Sequence, residues 1–288
     1  MSKIIVGVDG TERSADAVHF ATRLARRARA DLLLACAYPY DDAAAHMDCE
    51  RRRMLREEAQ ATLDAATLLV AHAAPVTTRT VADRSPARAL HTLAVHERAS
   101  LVVIGSSHHG SVGRVFAGTT AERLLHGAPC PVAVVPHGVL PGSLHTIAVG
   151  WDGSPESTAA VVGAAAIARR GGGLLRIVRV LDGDTDEGGP AGLLQSLPAG
   201  LRLEHVLRHG DPVDALAAVS EDADLLLLGS RGYGPRRAVL LGGVSGRVVR
   251  TAACPVIVVP RGIAVPLEDL FGPVRRVRRV MASTADAP

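Results

Sequence analysis

The chain has 288 residues, 48% of them hydrophobic and 21% charged, with a formal net charge of +3. That length predicts two domains, each large enough for its own core. No apolar run is long enough to span a bilayer, and the charge gives neither half the basic excess of a nucleic-acid binder, so neither a membrane span nor nucleic-acid binding is expected.

In chain order, Met1-Ser-Lys-Ile-Ile-Val leads straight into a strand, so no signal peptide is expected and a cytoplasmic location follows. Strands are expected over Ile4 to Val8, Leu32 to Ala37, Thr77 to Val81, Leu101 to Ile104 and Val132 to Val135. Longer helical patterns separate them, the alternation of parallel strands joined by crossover helices. Met47 to Ala73 reads as a long amphipathic helix with Arg51, Arg52, Arg53, Glu57 and Glu58 exposed. Helix starts are marked by Ser85-Pro86, Ser154-Pro155 and Asp211-Pro212, each a side-chain acceptor at the N-cap followed by proline in the first turn. Cys130 and Cys254 each precede a Pro-Val strand and read as small core residues rather than a disulfide framework.

The second half answers the first landmark by landmark. Gly150-Trp-Asp152-Gly-Ser154 matches Gly7-Val-Asp9-Gly-Thr11, and Cys254-Pro255-Val-Ile-Val-Val-Pro260 matches Cys130-Pro131-Val-Ala-Val-Val-Pro136. The offset is 143 at the aspartates (152 − 9) and 124 at the cysteines (254 − 130), so the first copy holds nearly twenty extra residues in its middle. The glycine- and aspartate-rich Asp182 to Gly200 stands where the long helix should recur, and that helix is expected to be short or absent there. Each copy is expected to form a doubly wound, Rossmann-like sheet of five parallel strands, over residues 1–140 and 143–262. Residues 263–288, with Arg275, Arg276, Arg278 and Arg279, are expected to be a basic tail, solvated and partly disordered.

Ligands of such sheets sit beyond the carboxyl ends of the first and fourth strands. There the second copy spells Gly229, two residues, Gly232, nine residues, Gly242, between an apolar run and a helical stretch; the first has Gly105, His108 and Gly118 at the same spacing. A strand, a glycine loop and a helix N-terminus can cradle phosphate.

This pattern, with an aspartate after the first strand and a closing Cys-Pro-Val strand, resembles the universal stress protein family in its tandem form, over about residues 3 to 262. The resemblance implies an adenine nucleotide α-hydrolase-like fold and an ATP site, with or without magnesium. The aspartate and a residue ending the second strand would hold adenine, the first glycine ribose, and the rest phosphate. In the second copy these are Asp152, Val180, Gly229, Gly232, Gly242 and Gly243; in the first they are Asp9, Ala37, Gly105, His108, Gly118 and Thr119. Gly243 replaces the expected hydroxyl, for which Ser245 and Ser230 lie near enough to substitute partly. His108 replaces a glycine, and its imidazole, with an ordinary pKa of about 6.5, either plugs the loop at neutral pH and attracts phosphate on acidification or, with the turn rearranged through Gly110 and Gly113, faces solvent. On glycine count the second loop is the better of the two. The family also implies that the last strands meet across a pseudo-twofold axis, where Pro131, Pro136, Pro255 and Pro260 suit edge positions.

Duller readings stand beside these. Asp9 and Asp152 lie in Asp-Gly turns that form for backbone reasons alone, and Thr119 with Glu122 has capping-box spacing. Other chemistries are excluded: Lys3 is the one lysine, so no Walker loop exists; Gly-x-Ser-x-Gly fails at His109; and no His-Glu-x-x-His is present for zinc. The reading is an ATP-binding regulatory module without catalytic residues, acting on an unidentified protein partner as a pseudo-dimer or a homodimer. The alternatives are a weak ATPase or self-phosphorylating enzyme, and a scaffold that binds no nucleotide.

Overall fold

Aliphatic runs become strands and capped amphipathic stretches become helices, alternating along most of the chain. The computed structural model describes residues 2–40, 49–70, 73–106, 119–139, 144–181, 189–230, 243–263 and 266–271. The first half runs β1 (Lys3–Gly7), α1 (Glu12–Ala28), β2 (Asp31–Tyr38), α2 (Cys49–Val70), β3 (Val76–Ala82), α3 (Pro86–His96), β4 (Leu101–Gly105), α4 (Thr119–Leu125) and β5 (Val132–Val135). The second runs β6 (Thr146–Gly150), α5 (Pro155–Gly171), β7 (Leu174–Leu181), α6 (Ala191–Ser196), β8 (Arg202–His209), α7 (Pro212–Glu221), β9 (Leu225–Ser230), α8 (Val244–Thr251) and β10 (Val256–Pro260). A 3-10 turn, Leu267–Phe271, follows.

These strands form one ten-stranded sheet in the order β3-β2-β1-β4-β5-β10-β9-β6-β7-β8. Each half has the same doubly wound order, and every pairing is parallel except the central one. There β5 and β10 run antiparallel, with Val134 opposite Val256 and Val132 opposite Val258. The closing strands are therefore central rather than at an edge. Their prolines are tolerated because they bracket the strands and lend carbonyls rather than amides: Pro131 accepts from the Val102 N–H at 3.0 Å and Pro255 from the Leu226 N–H at 2.9 Å.

Two apolar layers cover the sheet, and both run across the two halves. One is built on α1, α2 and α5, the other on α3, α4, α7 and α8. The caps form as their residue types dictate: Ser85 Oγ accepts from Arg88 N, Ser154 Oγ from Ser157 N, and Asp211 Oδ1 from Val213 N at 2.7 Å. The helix expected over Met47 to Ala73 is α2, which buries Ala59, Leu63, Ala66 and Val70 and leaves its charged face exposed. Its counterpart α6 has six residues and buries none of them.

The halves are bolted together by side chains as well. Arg27 of α1 donates to the Leu144 carbonyl at 3.0 Å, and its guanidinium lies so close over Gly171 that a Cβ there would stand 2.3 Å away. Arg250 of α8 donates to Glu122 of α4 at 2.6 Å.

One expectation is corrected at the C-terminus. Residues from 263 onward were expected to be solvated, yet Leu267, Leu270 and Phe271 are each 1% exposed. Leu267 lies on Gly163, the position in α5 that corresponds to Phe20 in α1 (163 − 143 = 20), and a Cβ on Gly163 would come within 2.8 Å of it. The side chain missing from one helix is thus replaced by a segment from the chain's end. Arg170 secures the segment through the Phe271 carbonyl at 3.0 Å.

Cys36, Cys130 and Cys254 are buried free thiols and Cys49 is an exposed one, as the core reading of Cys130 and Cys254 requires. No helix among the described residues is long and apolar enough to cross a membrane.

Candidate functional site

In each half the chain winds outward in opposite directions from its first and fourth strands, so β1 and β4, or β6 and β9, part at their carboxyl ends and leave a crevice. The register sets what lines it. Val6 pairs with Val103, so Asp9 and Ser106 both lie three residues further on; Gly7 pairs with Ala35, so Asp9 and Ala37 both lie two further on. In the second half Gly150 pairs with both Val178 and Leu228, which brings Asp152, Val180 and Ser230 level, two residues beyond. Asp9, Ala37 and Gly105 thus converge on three adjacent strand ends, as do Asp152, Val180 and Gly229.

Both aspartates are exposed, and both close turns. Asp9 Oδ1 accepts from the Thr11 amide at 3.1 Å and the Thr11 hydroxyl at 2.6 Å, while Asp152 Oδ1 accepts from Ser154 N at 3.0 Å. Gly10 and Gly153 follow at φ +79 and +81, values that suit glycine. The backbone explanation therefore holds for one carboxylate oxygen of each. The Asp9 charge also reaches its neighbour: burial first, and Asp9 second, push the Cys36 thiol pKa up.

The first glycine of each loop is required by packing. A Cβ on Gly105 would stand 2.4 Å from the Arg13 carbonyl oxygen, and one on Gly229 would stand 2.4 Å from Ser157 N and 2.5 Å from the Glu156 carbonyl carbon. The first turns of α1 and α5 lie directly on these strand ends, which puts a helix N-terminus beside each crevice. Ser106 adds an unexplained polar atom, because its residue is 6% exposed and its hydroxyl finds no hydrogen-bond partner among the described residues. A buried hydroxyl without a partner is costly unless something else satisfies it.

Gly243 caps α8 in an extended conformation without a side-chain hydrogen bond, and Ser245 lies half-buried in the first turn of that helix. Thr119 opens α4. Glu122, read as a capping-box partner for Thr119, pairs through Oε1 with Arg250 across the halves. His108, Gly118, Gly232 and Gly242 lie outside the described residues.

Sequence reasoning missed Trp151, one residue before Asp152. Its indole Nε1 donates to Thr158 Oγ1 at 3.4 Å, and the Arg179 guanidinium sits 5.7 Å from the ring centroid. It also missed Arg13 and Glu156, whose place against the glycines depends on how a helix lies on a strand end. Among the described residues no group of three or more His, Cys, Asp or Glu is placed to hold a metal ion.

The model of the universal stress protein family matches residues 1–136 and 191–260 of this chain. A universal stress protein of Mycolicibacterium smegmatis is 32% identical over 287 residues, covering 89% of this chain and 96% of that protein. The chain belongs to the universal stress protein family. A Mycobacterium tuberculosis universal stress protein is 26% identical and covers 89% of this chain and 99% of its own length. A solved universal stress protein from Archaeoglobus fulgidus superposes with a TM-score of 0.74 over 90% of this chain and 98% of its own, at 20% identity, a likeness of fold.

Proposed function

We propose that this universal stress protein is a cytoplasmic adenine-nucleotide-binding regulatory module, in which ATP, with or without Mg²⁺, stabilises a conformation that a protein partner reads. The observation that carries the reading is the convergence, made twice, of an aspartate, a residue ending the second strand and an obligate glycine around a crevice at the switch point of the sheet. Asp9 with Ala37, and Asp152 with Val180, would face the base. Gly105 and Gly229 would face the ribose, and the glycine loops with Gly243, Ser245 and Thr119 the phosphates. The buried Ser106 hydroxyl fits a polar ligand arriving at the first crevice. Any magnesium would be carried chiefly by the phosphates, since the described side chains offer it no cluster.

The reading favours binding over turnover, because the sequence places no carboxylate, histidine and lysine constellation for in-line phosphoryl transfer around either loop except His108 and His109; turnover of ATP by the purified protein would favour the enzyme instead. Denaturing freshly purified protein and identifying released nucleotides by mass spectrometry tests the reading. ATP or AMP near one per chain supports it. No nucleotide released, together with no calorimetric binding of ATP at millimolar concentration, overturns it in favour of a scaffold.

A further inference from the structure

We infer that β8 is an edge at which two copies of this chain join, running antiparallel about Val206 so that the two ten-stranded sheets become one; the contact stands apart from the nucleotide reading. Because β5 and β10 pair within one chain, the closing strands are already used, and a second copy must meet the sheet at one of its ends, β3 or β8. The two ends are built differently. β3 is flanked by α2, which buries Ala59, Leu63, Ala66 and Val70 on that side of the sheet, and its arginine, Arg79, is taken by Glu97 at 3.2 Å. β8 pairs only with β7, and among the described residues no strand lies beyond it. It has eight residues with no proline, glycine or lysine among them. The helix on its flank, α6, buries none of its residues, and Leu203 and Leu207 are left 36% and 39% exposed. Such an edge offers its row of backbone donors and acceptors to another strand.

Charges usually keep an edge strand single, but the placing of these ones does the opposite. Glu204 pairs in register with Arg176, Val206 with Val178 and Arg208 with Val180, so all three lie on one face of the sheet, the acid two residues before Val206 and the base two residues after it. An antiparallel copy centred on Val206 therefore sets each Glu204 opposite the other copy's Arg208, at both ends of the contact. Centring on His205 instead would set Arg202 opposite Arg208, like charges that oppose pairing. The charges thus select one register.

Both groups are available for it. Arg208 is exposed and makes no ion pair or side-chain hydrogen bond among the described residues. Glu204 accepts from Arg176 Nε at 2.9 Å through Oε2 alone, and 44% of its side chain is in solvent, so Oε1 can take a second guanidinium. On the opposite face the same register lays Leu203 against His209 of the second copy and Leu207 against His205, covering the two exposed leucines. The contact is one strand wide on each side, smaller than a permanent interface, so association is reversible and follows concentration.

Sedimentation velocity of the full-length chain over about a hundredfold range of concentration reads the association, and wild type is expected to pass reversibly from monomer to dimer. Arg208→Glu sets two carboxylates opposite each other and Glu204→Arg two guanidiniums, and each is expected to weaken the dimer by about tenfold with its circular dichroism unchanged. Mixed in equal amounts, the two variants regain opposite charges at both ends and are expected to associate with each other as wild type does, a recovery that misfolded variants could not give. Val206→Cys in a Cys49→Ser background is expected to oxidise to a disulfide-linked dimer, since facing Cα atoms of antiparallel strands stand about 4.5–5.5 Å apart, within disulfide reach; Leu207→Cys, which faces His205, is not. A wild type that stays monomeric over the whole range, with no cross-link through Val206→Cys, overturns the proposal. A dimer that both charge variants leave intact, or that mixing them does not restore, overturns it equally.

Discussion

Gly229→Ala and Gly192→Ala make the same chemical change and are expected to act in opposite directions. At Gly229 the new methyl would stand 2.4 Å from Ser157 N and 2.5 Å from the Glu156 carbonyl carbon, where 3.4 Å is the lower bound of ordinary contact. The first turn of α5 must therefore retreat by 1.0 Å (3.4 − 2.4). That helix cannot retreat freely, because Ala160, Val161, Ala164 and Ile167 fix it in the core. Overpacking of this kind costs about 1–3 kcal/mol, which at roughly 2–4 °C per kcal/mol lowers the melting temperature by some 2–12 °C. Gly192 lies in the exposed α6 with nothing within 4 Å of a new Cβ and no positive φ to relieve. Alanine there gains helix propensity worth up to about 1 kcal/mol. Urea denaturation of the two variants beside wild type reads both signs. A Gly229→Ala protein as stable as wild type would show that α5 does not rest on the end of β9, and the account of both crevices would go with it.

Phe271→Ala removes a fully buried ring that the chain's end places on α5, and is expected to cost about 3–5 kcal/mol in chemical denaturation; a loss under about 1 kcal/mol would return this segment to the solvated tail. Burial pushes the Cys130 and Cys254 thiols up to about 12 and raises Cys36 as well, so a thiol reagent at pH 8 is expected to label only Cys49 quickly, and all four after denaturation. The Lys3 ammonium holds the Glu97 carboxyl below its usual 4.5, and the Arg88 guanidinium holds Asp83 below its usual 3.8. Stability from these two carboxylates is therefore complete above those ordinary values and is lost as pH falls through the lower folded ones. Glu97→Gln and Asp83→Asn should each flatten the acid limb of a stability-versus-pH curve below about pH 4.5, and an unchanged limb in both refutes the assignment.

Much of the architecture is legible in the residues because it rests on local chemistry. Aliphatic runs such as Leu225 to Leu228 can only be buried strands, and Ser85-Pro86, Ser154-Pro155 and Asp211-Pro212 announce their helices through caps that form within three residues. The brevity of α6 is written in the glycines and aspartates that precede it. What stays hidden is non-local. Leu267 looks like an ordinary terminal residue until Gly163, more than a hundred positions earlier, leaves the space it fills. Arg13 and Glu156 look like ordinary first-turn charges until Gly105 and Gly229 are known to lie against them. Trp151 and Arg179 meet only because β6 and β7 are neighbours in the sheet. The aspartates at the crevices are legible by their place, yet their turn-closing hydrogen bonds to Thr11 and Ser154 emerge only with coordinates.

The antiparallel meeting of β5 and β10 has a consequence for mass action. A twofold contact between separate copies forms only as protein concentration allows, and any substitution near it enters both sides at once. Here the two faces belong to one polypeptide, so each sees the other at an effective concentration that dilution cannot lower. The seam persists at any abundance, and a change made in one half is made once. A two-chain assembly with a glutamate at the second position of its first helix would carry it in both copies. A single chain can keep arginine in one and glutamate in the other, and a full-length helix over one flank of the sheet with a remnant over the other, without giving up the shared strand pair that holds the molecule together.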